Sequence, residues 1–245
     1  MSQFVSELRQ TIVPGRNTRH GPLPPVLVAM TLVTGLVDAF SYLVLGHVFV
    51  ANMTGNIVLL GFALVGAPGF SIAASIAAIA AFGVGAVVGG KIGSRFAPNR
   101  GALFSIAAST QAVFLVCGLI LAGLSGTPLT NGFRYSVIVV LAIAMGIQNA
   151  AARTLAVPDL TTTVLTMTIT GVAADSHVAG GEGAKAGRRL VAIAAMLVGA
   201  VVGATLVLHA SIVYPLVIAL VVTAIAAGTS GVFARSNADW IRAQA

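Results

Sequence analysis

The sequence contains little charge. Only 8% of its 245 residues are Asp, Glu, Lys or Arg, whereas about 25% of the residues of a typical soluble domain are charged. Hydrophobic residues make up 58% of the chain, and the mean hydropathy is +1.02. So few polar side chains cannot cover the surface of a water-soluble globule, and a disordered chain would have the opposite composition. The composition therefore predicts an integral membrane protein.

The sequence also lacks the residues that several kinds of site require. Its one cysteine, Cys117, excludes an intramolecular disulfide and a cysteine zinc site. The four histidines do not share metal-ligand spacing, and no phosphate-binding loop or activated nucleophile motif is present. We therefore expect no metal, no cofactor and no enzymatic activity. The net charge of +7 is attributed to basic residues at the cytoplasmic ends of membrane spans, not to nucleic-acid binding.

Apolar runs of about 20 residues cross a bilayer as helices. Six runs of this kind are predicted to be spans: 26–46, 71–92, 102–123, 135–155, 190–209 and 212–233. Two further stretches, 48–66 and 158–176, are shorter or more polar. They are interpreted as re-entrant or broken segments, each of which enters and leaves the membrane on one side.

The positions of the basic residues favour this interpretation. If both stretches are re-entrant and the N-terminus is inside, Arg134 alone of the 13 Lys and Arg residues lies outside. If both stretches cross, Lys91, Arg95, Arg100 and Arg153 move outside. The positive-inside rule prefers the first arrangement. We therefore expect an all-α protein with six transmembrane helices and both termini in the cytoplasm.

The two halves of the chain resemble each other. Residues 80–89 match residues 194–203 at eight of ten positions, and residues 35–39 resemble residues 146–150. Each half reads span, polar segment, span, span. Because three crossings is an odd number, the second half would be inverted relative to the first, an arrangement typical of transporters with broken helices.

The repeat predicts an organisation in five parts. These are a cytosolic tail at 1–25, a first membrane repeat at 26–124, an external loop at 125–134, a second membrane repeat at 135–234 and a cytosolic tail at 235–245. The glycine-rich helix faces suit packing within one chain and equally suit a homodimer.

Asp38 is the principal candidate for a functional residue. It lies in the middle of the first span, where a carboxylate is costly and usually faces a cavity, a partner or a proton path. Asp38 is therefore a candidate for proton coupling, and an acidic group at this depth favours a neutral or cationic solute. The alternative role is structural, as an acceptor for the backbone of a neighbouring segment.

The first polar segment has the sequence Asn52-Met53-Thr54-Gly55-Asn56. Gly55 lets the backbone open, and Asn52, Thr54 and Asn56 offer amides and a hydroxyl to a solute. A half-helix that begins here would direct its first N–H groups toward a guest. The same pattern also fits a capped turn.

The second half offers a corresponding set of candidates. Gln148 and Asn149 stand opposite Asp38 in the repeat, and they either line a site or join helices. The candidates in the second polar segment are Thr162, Thr163 and Thr166, although threonine hydroxyls often bond to their own helix. For Arg153 we expect a local ion pair with Asp159, or a side chain that extends to the membrane surface.

These motifs resemble a known bacterial family. Gly35-Leu36-Val37-Asp38-Ala39 followed by Phe49-Val50-Ala51-Asn52-Met53-Thr54-Gly55-Asn56 is similar to the pattern of the YoaK-like membrane proteins, a domain family of unknown function. The resemblance covers about residues 26 to 233. It implies a bacterial inner membrane protein with multiple spans, and it supplies no substrate.

The leading functional hypothesis is a small transporter that is coupled to protons through Asp38. A solute would bind between Asp38, the 52–56 segment, Gln148 and Asn149, and the threonine segment. A passive channel or facilitator would use the same two segments. A non-transporting membrane partner protein is the third alternative, and it would keep its role if Asp38 were replaced.

Overall fold

The computed structural model describes residues 2–13, 20–125, 129–163, 165–181, 186–235 and 239–241. Parts of the predicted tails and of the loop at 125–134 lie outside these ranges. Nine α-helices form within them: α1 Ser2–Ile12, α2 Leu23–Val44, α3 Met53–Leu64, α4 Ile72–Phe96, α5 Arg100–Ser125, α6 Asn131–Leu155, α7 Leu165–Ala174, α8 Ala186–His209 and α9 Tyr214–Ala234. Two 3₁₀ turns, His177–Ala179 and Asp239–Ile241, complete the regular structure of the described chain.

Six of these helices are long and apolar enough to cross a membrane. They are α2, α4, α5, α6, α8 and α9, with 21 to 26 residues each. A helix rises about 1.5 Å per residue, so these lengths exceed the bilayer core of about 30 Å. Each corresponds to one predicted span, so the six-span prediction is confirmed.

Contacts between the helix termini define two ends of the bundle. At one end, Arg100 donates to the carbonyl of Leu155 at 2.6 Å, and Asn99 donates to the carbonyl of Ala234 at 3.2 Å. At the other end, Ser71 and Tyr135 hydroxyls lie 3.3 Å apart. The first end also carries most of the basic residues of the described chain: Lys91, Arg95, Arg100, Arg153, Arg188, Arg189 and Arg235. We call it the basic end.

Each of the two short helices begins inside the bundle, and the chain enters and leaves each segment at the same end. For α3 this is the end opposite the basic end. At that end the His47 ring, before α3, lies 3.0 Å from the carbonyl of Gly69, after α3. Before α7, the chain leaves the basic end, and Arg189 at that end binds both Asp159 and Asp175. Both segments are therefore re-entrant.

Glycines bring the long helices into backbone contact at two crossings. Gly35 of α2 lies against the backbone of Gly199 in α8, and Gly146 of α6 lies against the backbone of Gly85 in α4. Small residues permit such close approach in membranes. In the repeat that the sequence indicates, Gly35 corresponds to Gly146 and Gly199 corresponds to Gly85, so the two crossings are equivalent. The helices α2 and α6 run in opposite directions. The inverted repeat remains a prediction, and these contacts are consistent with it.

Terminal segments fold onto the basic end. Within the stretch predicted to be a cytosolic tail, α1 packs against α8. The Glu7 carboxylate accepts the backbone N–H of Gly187 at 3.2 Å, in the first turn of α8. Near the C-terminus, Trp240 is buried and covers Gly21. The basic end is thus covered by elements from both ends of the chain.

Candidate functional site

Asp38 holds the segment that precedes α3. Its side chain is 6% exposed, and Oδ1 accepts the backbone N–H of Ala51 at 2.9 Å. The backbones of Val50 and Asn52 lie beside the same carboxyl group. A non-helical segment at membrane depth needs partners for its N–H groups. Asp38 supplies one for Ala51, which is the structural role considered as the alternative to proton coupling.

Two asparagines shape the start of α3. Asn52 is the N-cap residue, and its Oδ1 accepts the N–H of Gly55 at 3.0 Å. Asn56 is fully buried and pairs with both backbone groups of Phe49, at 2.9 and 2.6 Å. Gly55 is required here, because a Cβ at this position would lie 2.9 Å from the Phe49 ring. The side chains of Asn52 and Asn56 therefore stabilise the turn.

Asn149 has the corresponding role before α7. Its Oδ1 accepts the hydroxyl of Thr163 at 2.5 Å, so α6 holds the second segment much as α2 holds the first. Thr162 is 2% exposed and has a positive φ of 65°. Its Oγ1 has no hydrogen-bond partner among the described residues, and neither does Nδ2 of Asn149. Polar groups left unpaired in this way are costly when buried.

The two half-helices begin at the wall of one partly open cavity of about 630 Å³, which we call the central cavity because residues from both halves of the chain line it. Six of the ten residues predicted for a site line it: Asn52, Thr54, Gly55, Asn149, Thr163 and Thr166. The rest of the wall is apolar and comes mainly from α3, α4, α7 and α8. The structure therefore brings residues from both halves of the chain to one concave, mixed surface of the kind that binds small molecules.

Four predicted residues do not line this cavity: Asp38, Asn56, Gln148 and Thr162. The Asp38 carboxyl group accepts the N–H of Ala51, which lines the cavity, so it lies behind the wall and does not contact a solute there. The expectation of a neutral or cationic solute therefore loses the direct contact on which it depends.

Gln148 belongs to a buried polar network that joins three helices. Gln111 of α5 donates to Oε1 of Gln148 at 2.7 Å, and Gln148 donates to Oγ1 of Thr34 in α2 at 2.9 Å. Gln111 and Gln148 are 1% and 4% exposed. Sequence reasoning did not single out Gln111, although a glutamine inside an apolar span was the available signal. Gln148 therefore joins helices, the second of its two predicted roles.

We expect Gln148→Leu to lower the thermal stability of the protein in detergent. The substitution leaves the amide of Gln111 without its acceptor, and interhelical side-chain hydrogen bonds in membranes contribute about 1 kcal/mol each. A Gln111→Leu/Gln148→Leu double variant should lose less than the sum of the two single losses. Thr110→Val is the control, because that hydroxyl bonds only to Ile106 of its own helix. Additive losses would contradict the network.

Phe82 and Met196 were missed as lining residues. Both line the central cavity, and they occupy equivalent positions of the repeat, in 80–89 and 194–203. Phe82 and Met196 form one of the two pairs at which those stretches differ. A difference between otherwise matching stretches could have marked both residues as candidates for the site.

A second cavity of about 740 Å³ shares Phe82 and Asn149 with the central cavity. Arg153, Thr154 and Thr161 also line it. The second cavity therefore adjoins the central one and contains the end of α6. Of the two alternatives for Arg153, the local ion pair with Asp159 is wrong, because Asp159 binds Arg189 at 2.9 Å. Arg153 is exposed, which is consistent with the other alternative, a side chain that extends to the membrane surface.

Arg189 holds the second half-helix at the basic end. Its Nε binds Asp159 at 2.9 Å, and its Nη1 binds Asp175 at 2.7 Å and the carbonyl of Gly171 at 2.5 Å. A Cβ at Gly171 would collide with the guanidinium group. One partly buried arginine thus joins the loop before α7, the end of α7 and the start of α8.

Comparison with known proteins agrees with this architecture. Residues 26–229 match a family model described as "Protein of unknown function (DUF1275)". The chain is also 32% identical over 154 residues to the UPF0700 transmembrane protein YoaK of Bacillus subtilis (strain 168), across 61% of this chain and 65% of that relative. The chain thus matches slightly less than two thirds of the relative's length. No solved structure matches the chain.

The family match includes both half-helices, the four long helices between α2 and α9, and most of α2 and α9. The resemblance seen in the sequence motifs is therefore confirmed, and the chain is a multi-pass membrane protein that belongs to the DUF1275 family.

Proposed function

We propose that this protein is a secondary carrier of a small solute in a bacterial inner membrane, with both termini in the cytoplasm, and that it is not an enzyme. The observation that carries the proposal is the central cavity, which is lined by the first turns of α3 and α7. Half-helices that begin near the middle of the membrane form the substrate sites of many carriers.

The solute is proposed to bind against Thr54, Asn149, Thr163 and Thr166, with Phe82 and Met196 forming the apolar part of the wall. Hydroxyl and amide groups would orient it, and the apolar side chains would exclude water from it.

Alternation between the two sides would come from the two halves of the chain as an inverted repeat. The glycine contacts Gly35–Gly199 and Gly146–Gly85 join equivalent positions and are consistent with two similar helix pairs. Each pair contains one helix from each half. Small relative movements of these pairs would open the cavity first to one end of the bundle and then to the other.

Proton coupling through Asp38 would act on the backbone. The carboxylate accepts the N–H of Ala51 in the segment before α3. Protonation would weaken this hydrogen bond, because charge-assisted bonds are stronger than neutral ones. The start of α3, and with it one wall of the cavity, would then be freer to move.

The proposal is tested first by ligand binding and then by transport. The purified protein is screened by thermal shift against a panel of metabolites and ions, and a ligand at 100 times its dissociation constant stabilises a protein by about 2.7 kcal/mol. Each hit is then tested for uptake into proteoliposomes and for counterflow. A carrier saturates and shows counterflow, whereas a channel shows neither. Ligand binding without flux would contradict the proposal.

We expect Thr166→Val to weaken the binding of a hit about tenfold, which corresponds to about 1.4 kcal/mol. The variant removes one hydroxyl from the cavity wall and preserves shape. Thr170→Val is the matched control, because its hydroxyl bonds to the carbonyl of Thr166 within the same helix and does not line the cavity. The dissociation constants of both variants are measured by titrated thermal shift. Equal effects would place the solute elsewhere.

A further inference from the structure

Arg153 lies in the wall of the second cavity and forms no ion pair among the described residues. It comes from the last turn of α6, at the basic end, and its side chain is exposed. Asp159, the acid that follows it in sequence, is bound to Arg189 instead. A guanidinium group without a protein partner in a cavity wall is a binding group for a carboxylate or phosphate.

The walls of the two cavities contain hydrogen-bond donors and no acid. Among the described residues, no aspartate or glutamate lines either cavity. Asn149 lines both cavities, and its Nδ2 donor lies buried behind the wall without a partner among the described residues. The amide would have to turn to offer this donor to an acceptor in the cavity, which an anion supplies.

The two half-helices add to this donor-rich environment. The first turns of α3 and α7 line the central cavity. A helix N-terminus carries the equivalent of about half a positive charge. Such a terminus therefore favours a negative group over a positive one. The Asp38 carboxyl group lies behind the wall at Ala51 and opposes this effect at α3 when it is ionised, whereas α7 has no acidic residue in its first turn.

We infer that the two adjoining cavities bind a small anion, a carboxylate or a phosphate, and that Arg153 selects for its negative charge on the path from the basic end. This inference rests on the proposed transport function and names its substrate class. The anion would meet Arg153 in the second cavity and then pass Asn149 and Phe82, which both cavities share. In the central cavity it would be held by neutral donors.

A phospholipid headgroup is the other source of the same chemistry at Arg153. The two sources differ in what they require. A free anion binds in vesicles of zwitterionic lipid, whose headgroup phosphate is present in equal amount in every sample, whereas contact with a net anionic headgroup depends on anionic lipid. The experiment therefore uses both vesicle types.

The test measures uptake by the full-length protein in phosphatidylcholine vesicles, with and without 20% phosphatidylglycerol. The probes are radiolabelled phosphate, acetate and succinate, with glycerol and choline as the neutral and cationic comparisons. We expect uptake of at least one anion and of neither comparison solute. Arg153→Gln should raise the KM for that anion about tenfold, as expected for the loss of one charged contact.

Arg95→Gln is the matched control. It removes the same charge at the same end of the bundle, but Arg95 lines neither cavity and instead stacks on Phe96. Its KM should match that of the unchanged protein. Equal KM changes in the two variants, or an effect of Arg153→Gln confined to vesicles with phosphatidylglycerol, would overturn the inference.

Failure of transport is separated from failure of the inference by a second measurement. If no probe is taken up, the proposed carrier function is wrong for these solutes, and binding decides the inference. The protein and Arg153→Gln are then compared by thermal shift with the same three anions. Stabilisation by an anion that Arg153→Gln loses supports the anion site. If none of the three anions stabilises the protein, or if only glycerol or choline is taken up, the inference is overturned.

Discussion

Replacing Gly146 by leucine should abolish the accumulation of folded protein. A Cβ at Gly146 would meet the backbone of Phe82 and Ala86 in α4. Overpacking a core costs about 1–3 kcal/mol even when side chains can adjust. Here the obstacle is the backbone of a neighbouring helix, so α4 and α6 would have to separate along their crossing. The amount and monodispersity of protein in size-exclusion chromatography after detergent extraction measure the effect.

Gly83→Leu is the control for this substitution. It lies in α4 near the same crossing, and a Cβ there meets no atom within 4 Å. This variant should accumulate like the unchanged protein. Gly35→Leu, at the equivalent crossing of α2 and α8, should be as damaging as Gly146→Leu. Normal accumulation of Gly35→Leu would show that the two crossings are not energetically equivalent and would weaken the inverted-repeat proposal.

Replacing Asp38 by alanine should strongly destabilise the protein, whereas replacing it by asparagine should chiefly change the pH dependence of transport. Alanine leaves the N–H of Ala51 without its acceptor, and an unsatisfied buried group costs about 1–3 kcal/mol. Asparagine keeps one acceptor oxygen but cannot take up a proton. Thermal unfolding in detergent measures the first effect, and uptake over a series of pH values measures the second.

Ser41→Ala is the control for the Asp38 variants. The Ser41 hydroxyl is buried one turn away and bonds to the backbone carbonyl of Asp38 at 3.1 Å. It does not hold the segment before α3. Its loss should therefore have a small effect on stability and leave the pH dependence of uptake unchanged. If Asp38→Asn showed the pH dependence of the unchanged protein, coupling through Asp38 would be wrong. If Asp38→Ala were as stable as Ser41→Ala, the anchoring role would be wrong.

The six spans and the two re-entrant segments could be predicted from the sequence because membrane insertion depends on local properties. The length of an apolar run decides whether it spans the bilayer, and the distribution of arginine and lysine decides on which side its ends lie. Six of the ten predicted site residues also line the central cavity. Polar residues at the start of a short helix inside a membrane must either line a cavity or bond to a partner, because lipid offers them no hydrogen bonds.

The partners of individual side chains depended on the tertiary structure. Asp38 and Ala51 are 13 positions apart, and the hydrogen bond between them exists because the segment before α3 turns back along α2. Asp159 binds Arg189, 30 positions away, and Arg153 beside the second cavity forms no ion pair among the described residues. The sequence by itself determined the class, the spans and the polar segments of this protein, because hydropathy and charge act locally. Only the folded chain decided which polar groups satisfy the backbone and which remain for a solute, because those pairings form between segments distant in sequence.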